Sequence, residues 1–307
     1  MRKQAAQGPR GASPARVPTG ERMKPAGNSV LCGLIGAGIQ ASRTPAMHER
    51  EADEQGLRCV YKLIDLDRLG LGVEALPELL TAAKRMGFAG LNVTYPCKQA
   101  VIPLLDELSE DARALNAVNT VVIRDGRLIG HNTDWSGFAE GFRRGLPEAK
   151  LDRVVQLGAG GAGAAVAHAA LTIGVKALSI FDVDGARAAE LASSLAGRFG
   201  AGRAVGGTDL AAAMDRADGL IHCTPTGMAK LPGLPLQAEL LDRRHWVAEI
   251  VYFPLETELL RVARAKGCRT VDGGGMATFQ AVGAFRLFTG VEPDAERMRR
   301  HFLSMNG

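Results

Sequence analysis

"RVVQLGAGGAGAAVAHAALTIGV", residues 153–175, decides the fold. An apolar run, "VVQL", leads into Gly158, Gly160 and Gly163 in G-x-G-x-x-G spacing, and an Ala-rich helical run follows. In a chain this rich in alanine and glycine the spacing alone is a weak signal. Between a strand and a helix it has a mechanism: the first glycine makes the tight turn, the second lets a pyrophosphate approach the backbone, and the third lets helix and strand close up. The loop Gly158, Ala159, Gly160, Gly161, Ala162 and Gly163 is therefore the expected phosphate cradle, its N–H groups lying at the positive end of the helix dipole.

The pattern continues outward as a doubly wound, Rossmann-type unit. "KALSIFDVD" (176–184) reads as the next strand and "ARAAELASSLAGRFG" (186–200) as the next helix. Further strands are expected at "DGLIHCT" (218–224), "WVAEIVYF" (246–253) and "CRTVDG" (268–273). Asp182, 24 residues after Gly158, ends its strand. A carboxylate there accepts the ribose hydroxyl protons of an adenosine and repels a 2′-phosphate, which favours NAD over NADP. The competing reading makes it the N-cap of the following helix, a job open equally to Asp184.

Upstream, strands at "VLCGLIG" (30–36), "CVYKLIDL" (59–66) and "AGLNVTYP" (89–96) alternate with helices at "TPAMHEREADEQG" (44–56), "LPELLTAAKRMG" (76–87) and "KQAVIPLLDEL" (98–108). That alternation argues a mainly parallel α/β sheet, with "RLIG" free to form a hairpin with "NTVVI". The last stretch, from Gly273 onward, is helical with no strand of its own and is expected to return to the first unit. The expected division is a basic tail (1–30), a substrate-binding domain (31–135, completed by 276–307) and a dinucleotide-binding domain (136–275).

Composition agrees with an α/β enzyme: 307 residues, 46% hydrophobic, 5% aromatic and 38 glycines. The formal charge of +4 sits in the tail, where Arg2, Lys3, Arg10, Arg16, Arg22 and Lys24 face only Glu21. The near-neutral remainder offers no footprint for nucleic acid. The tail itself is rich in Pro, Gly, Ala and Arg and is expected to be disordered; a transit peptide is the other reading, and Met23 is a second possible start. Five scattered cysteines without a C-x-x-C pair suit a reducing cytoplasm and no metal site. No run is long enough to span a membrane.

One residue has no place in either periodicity. Asp134, in "RLIGHNTDWSGF" (127–138), falls where a strand gives way to an amphipathic helix and could simply cap it. Its surroundings say more. "GLIGAGIQASRTPAMHE" (33–49), "LNVTYPCKQAVIPLLDEL" (91–108), "ALNAVNTVV" (114–122) and "GHNTDWSGF" (130–138) resemble, in order, the motif blocks of the shikimate/quinate dehydrogenase family. "CTPTGM" (223–228), "VYFPLETELL" (251–260) and "DGGGMATFQAV" (272–282) match its later blocks.

The resemblance implies a catalytic pair, Lys98 and Asp134, facing the hydroxyl to be oxidised. An alcohol surrenders hydride only as its proton leaves, so a base must stand within hydrogen-bond reach of the oxygen. It further implies Ser42, Thr44 and Tyr252 on the ring carboxylate, and Asn92, Thr94, Asn119 and Gln280 on the ring hydroxyls. Dinucleotide contacts would come from the glycine loop, Asp182, Arg187, Thr224, Pro225, Met228, Val251, Gly275 and Met276. His48, His131 and Cys97 are expected to be structural.

Two departures matter. Thr44 replaces the family's second serine, and "DVD" stands where NADP-using members carry an "NRT"-like element, with Val183 at the arginine position. The implied enzyme is therefore most like the NAD-dependent quinate/shikimate branch, acting as a monomer or homodimer on a small cyclic polyhydroxy acid. An NADP-linked shikimate dehydrogenase, an aminoshikimate-type relative and a non-catalytic dinucleotide-binding regulator are the alternatives.

Overall fold

The computed structural model describes residues 29–305. Most of the expected tail lies outside the described residues, but its last two positions, Ser29 and Val30, already belong to the first strand.

The first sheet holds β1 (Ser29–Gly36), β2 (Arg58–Asp65), β3 (Gly90–Val93), β4 (Glu107–Leu108), β5 (Thr120–Arg124) and β6 (Arg127–His131), in the order β2-β1-β3-β5-β6-β4. It is mixed: β2, β1 and β3 run parallel, whereas β5 is antiparallel to both β3 and β6. The hairpin between β5 and β6 turns on Asp125 and Gly126, both at positive φ, as the tight turns that match strand twist require. Its helices are α1 (Thr44–Glu54), α2 (Leu66–Leu69), α3 (Leu76–Arg85), α4 (Cys97–Ala100), α5 (Glu110–Leu115) and α6 (Asp134–Gly145).

The helix expected over 98–108 does not run its length. After α4 the chain tightens into a 3₁₀ turn at Ile102–Leu104 and then extends, pairing Glu107 and Leu108 with β6. Pro103 lacks the N–H that a continuing helix needs. Asp106 draws the chain to the sheet instead, its carboxylate accepting the Leu128 N–H at 2.7 Å.

The second sheet is wholly parallel, in the order β12-β11-β10-β7-β8-β9. Its strands are β7 (Arg153–Leu157), β8 (Ala177–Phe181), β9 (Ala204–Gly206), β10 (Gly219–His222), β11 (Trp246–Glu249) and β12 (Arg269–Val271). The accompanying helices are α7 (Gly161–Thr172), α8 (Gly185–Phe199), α9 (Leu210–Asp215), α10 (Glu258–Ala265), α11 (Gly274–Thr289) and α12 (Ala295–Ser304). Strand β7 alternates faces, sending Val154 into the core with α7 and α8, and Val155 and Leu157 into the core with α10. The strand order reverses between β7 and β10, the switch point at which such sheets leave a crevice at their carboxyl ends.

Helix α11 carries the chain back to the first sheet. Ala284 and Phe288 join Cys32, Leu34, Ile39 and Tyr61 in one core cluster, while Phe279 and Val282 join Met47, Met298 and Phe302 in another. It crosses α6 so closely that a Cβ on Gly137 would lie 2.6 Å from the Gln280 nitrogen. That crossing brings Gln280 beside the helix that Asp134 begins. No described helix is long and apolar enough to cross a membrane.

Candidate active site

Asp134 is the first residue of α6, but it does not cap it: the N-cap position is Thr133, with no side-chain cap bond. The carboxylate points to two partners instead. Oδ2 meets Lys98 Nζ at 2.5 Å, and Oδ1 accepts the Asn119 amide at 2.8 Å. Asp134 is 7% exposed, so this is a largely desolvated pair with one side chain, Lys98, still partly open to solvent.

The local backbone is fixed by short-range polar turns. Asn132 Oδ1 accepts the Asp134 N–H at 3.1 Å, and the Asn132 amide donates to the Ala117 carbonyl at 3.0 Å. Asn119 Oδ1 accepts the Thr133 N–H at 2.7 Å, so one asparagine holds both the backbone before the helix and the carboxylate that starts it. Lys98 is set by α4, whose Lys98 carbonyl accepts the Val118 N–H at 2.9 Å and thereby locks that turn to the segment carrying Asn119.

Asn92 is bonded to the protein through both its amide hydrogens and its oxygen. It is 4% exposed and spends both amide hydrogens on protein, donating to Thr120 Oγ1 at 3.0 Å and to the Asn119 carbonyl at 3.3 Å. Its oxygen accepts the Tyr61 hydroxyl at 2.7 Å. Its donors are thus taken up by Thr120 and Asn119, which leaves the second lone pair of its oxygen as the acceptor open to a ring hydroxyl.

Ser42 and Thr44 stand at the start of α1, with the Thr44 N–H donated to Ser42 Oγ at 3.3 Å. A helix N-terminus with two hydroxyls beside it suits a carboxylate. The approach to α1 is held by Asp65, whose carboxylate accepts the Gly38 and Ile39 N–H groups and the Gln40 amide. Thr94 follows β3 and is partly exposed, as are Ser42, Thr44 and Gln280. The Gln280 amide donates within its own helix, to the Ala277 carbonyl at 3.2 Å. Tyr252 is 46% exposed. Its phenol is pushed above the ordinary value by the protein around it and by the Asp134 charge, against the Lys98 charge, which places it within electrostatic range of the pair.

On the other side of the crevice, Gly158 has φ 101°, and a Cβ there would lie 2.6 Å from the Cys223 carbonyl oxygen. A Cβ on Gly163 would lie 2.3 Å from the Gly158 oxygen, so helix and turn close up as the spacing requires. Gly160 and Gly161 face open space, and α7 begins there with no side chain on its first N–H groups. Those donors fit a dinucleotide pyrophosphate.

Asp182 is not a helix cap either. Asp184 takes that position, accepting from the Ala186 and Arg187 N–H groups. The Asp182 carboxylate accepts the Ala159 N–H at 2.7 Å and the Asp184 N–H at 3.0 Å, with Arg187 Nη1 at 3.8 Å. Burial opposes its ionisation, but the two N–H groups and the arginine outweigh that and hold the carboxyl below the usual range. Val183 beside it is fully exposed. Met228 and Pro225 are exposed on the loop after β10, Val251 is buried after β11, and Gly275 and Met276 open α11.

Of the three residues expected to be structural, His48 and Cys97 are buried. His48 is enclosed by Tyr61, Phe285 and Phe288, and burial lowers its pKa to about 3. Cys97 is fully buried in the core of the first sheet, its thiol pushed up to about 11 by burial. Among the described residues no cluster of His, Cys, Asp or Glu could hold a metal ion.

Several site residues escaped the sequence reading. Asn132 and Thr133 lie in "HNTD", where the Asn side chain accepts the backbone N–H two residues on, the bond of an Asx-type turn. Tyr61 carries no local signal, since it sits inside a strand.

Comparison with known proteins fits this geometry. Residues 34–121 match the shikimate dehydrogenase substrate binding domain. A shikimate dehydrogenase (NADP(+)) of Arthrobacter sp. (strain FB24) is 61% identical over 279 residues, 90% of this chain and 95% of the relative. A quinate/shikimate dehydrogenase (NAD(+)) of Corynebacterium efficiens is 53% identical over 282 residues, covering 91% of this chain and 99% of the relative. The solved quinate dehydrogenase from Corynebacterium glutamicum in complex with NAD superposes with a TM-score of 0.85 at 53% identity, over 90% of this chain and 99% of that one. A two-sheet α/β chain with a dinucleotide loop, related to these enzymes along nearly its whole length, belongs to the shikimate/quinate dehydrogenase family of oxidoreductases.

Proposed function

We propose that the chain oxidises quinate, shikimate or both to the 3-dehydro acid with NAD, using Lys98 and Asp134 as the proton-transfer pair. The observation that carries this is the 2.5 Å contact between Lys98 and Asp134, with Asn119 on the second carboxylate oxygen. Residues 31–135 with 276–307 would hold the acid, and residues 136–275 the dinucleotide.

The ring carboxylate is assigned to Ser42 and Thr44 at the start of α1, with Tyr252 as the third hydroxyl, and the ring hydroxyls to Asn92, Thr94, Asn119 and Gln280. Lys98 takes the proton of the reacting hydroxyl while Asp134, itself oriented by Asn119, keeps the lysine aimed. The nicotinamide, when bound, accepts the hydride. The pyrophosphate of the dinucleotide would be held by the N–H groups of Gly160 and Gly161.

NAD is favoured by Asp182, which is negative and borders the glycine loop, so a 2′-phosphate would meet like charge. A second reading, NADP, is favoured by Arg187, whose guanidinium stands 3.8 Å from Asp182 and is half exposed, and by the 61% identical NADP-named relative. Steady-state kinetics with both acids and both dinucleotides separate them. Higher kcat/KM with NAD supports the first reading; higher kcat/KM with NADP supports the second; no turnover of either acid would remove both.

A further inference from the structure

Behind the crevice lies a buried polar chain that the proton-transfer site does not use. His222 ends β10 and Glu249 ends β11, and both are essentially inaccessible to solvent. His222 Nδ1 stands 2.9 and 3.0 Å from the two Glu249 oxygens, and His222 Nε2 stands 2.5 Å from Thr224 Oγ1. Glu249 also accepts the Ile250 and Val251 N–H groups, at 2.9 and 3.0 Å, and the Thr257 hydroxyl at 3.0 Å. A carboxylate is an acceptor only, so Nδ1 carries a hydrogen toward Glu249.

Both ends of this chain touch the crevice. Thr224 flanks the glycine turn: a Cβ on Gly158 would come within 3.2 Å of the Thr224 methyl. The Val251 segment flanks the start of α11, since a Cβ on Gly273 would meet the Val251 and Ile250 oxygens at 2.4 and 2.5 Å. One side-chain pair therefore braces the segments that follow two neighbouring strands, β10 and β11, on one side of the strand-order switch. A fully satisfied buried network fixes one arrangement of the groups it joins, whereas a half-satisfied one penalises it.

We propose that His222, clamped by Glu249, is a positioning residue for the dinucleotide: it orients the Thr224 hydroxyl and holds the 224–228 loop against the glycine turn. This rests on the reading of the crevice as the dinucleotide site. Loss of the His222 ring leaves the bonds of Glu249 to the Ile250 and Val251 N–H groups, which precede Tyr252, so acid binding is expected to change little.

The test is a double-mutant cycle on the full chain, reading the Kd for NAD and NADP by calorimetry and the KM for shikimate and quinate. His222→Ala and Thr224→Val should each weaken dinucleotide binding ~10-fold, the scale of one buried hydrogen bond. The acid KM should stay within about two-fold, and the double variant should be no weaker than either single one, because both remove the same contact. His222→Gln, which keeps a donor and acceptor, should recover part of the loss. It also serves as the histidine variant of the cycle if His222→Ala lowers the Tm enough to unfold. Unchanged dinucleotide Kd in folded variants, or effects that multiply, would overturn the proposal. Failure of the unaltered chain to bind either dinucleotide would instead overturn the reading of the crevice.

Discussion

Lys98 and Asp134 are 36 residues apart in the chain and 2.5 Å apart in the structure. What joins them is Asn119, which binds the Asp134 carboxylate and the Thr133 backbone and is itself backed by Asn92 and Tyr61. Asn119→Ala is therefore expected to lower kcat ~10-fold, because the carboxylate loses the donor that aims it, while dinucleotide Kd stays unchanged. Parallel measurement of kcat and Kd checks this. A fall in dinucleotide affinity alone would place Asn119 outside the proton-transfer machinery.

Cofactor choice should follow charge at the end of β8. Replacing Asp182 with Asn and Val183 with Arg removes a like charge and adds a phosphate partner. The ratio of kcat/KM for NADP over NAD should rise at least ~10-fold, which needs only about 1.4 kcal/mol of differential binding. A ratio that does not move would reduce Asp182 to a support for the Ala159 backbone.

The return of the C-terminal helices is anchored by Glu51 and Arg297. Glu51, 1% exposed on α1, takes Arg297 Nη2 at 2.6 Å and Nε at 2.8 Å. Arg297→Ala leaves a buried carboxylate with only the Asp294 N–H and the Gln55 amide. Because the arginine is partly exposed, the loss is set at about 2 kcal/mol, below the range for fully buried pairs. Calorimetry should show Tm down by about 4 °C, with KM for the acids unchanged.

Acid sensitivity should come in part from His48. Its folded pKa is about 3, against about 6.5 unfolded, so the unfolded chain takes up the proton first. The stabilisation is complete above pH ~6.5 and is lost progressively as pH falls toward the folded value. At pH 5 the loss is about 2 kcal/mol relative to neutral pH. Denaturant titrations of His48→Leu at both pH values should show that difference shrink by the same amount. An unaltered acid limb would assign it to other buried histidines, such as His168 and His245, whose pKa values are also lowered first by burial.

The glycine loop was legible because its spacing answers to one local geometry, and the structure closes Gly163 on Gly158 as that geometry requires. Asp134 and Asp182 were legible only as choices between cap and site. Each choice turned on a neighbour: Asp184 caps α8, and the N-cap position of α6 falls on Thr133. The bonds of Asn92 were not legible because the motif gives its place but not where its amide hydrogens go; Tyr61 and Thr120 come from other strands. The stretch from 98 to 108 misled because its apolar spacing suits a helix, while Pro103 and the pairing of Leu108 with β6 decide against one. His222 and Glu249 were invisible, since nothing local tells a buried pair on adjacent parallel strands from two ordinary strand residues.

The measurement closest to the central claim is kcat of Lys98→Ala at saturating dinucleotide and acid, compared with the unaltered chain, with dinucleotide Kd measured alongside. A lysine that takes the hydroxyl proton predicts a fall of ~10²-fold or more, with Kd changed by no more than about three-fold. Turnover close to that of the unaltered chain would contradict the account and take Lys98 and its contact with Asp134 out of the mechanism.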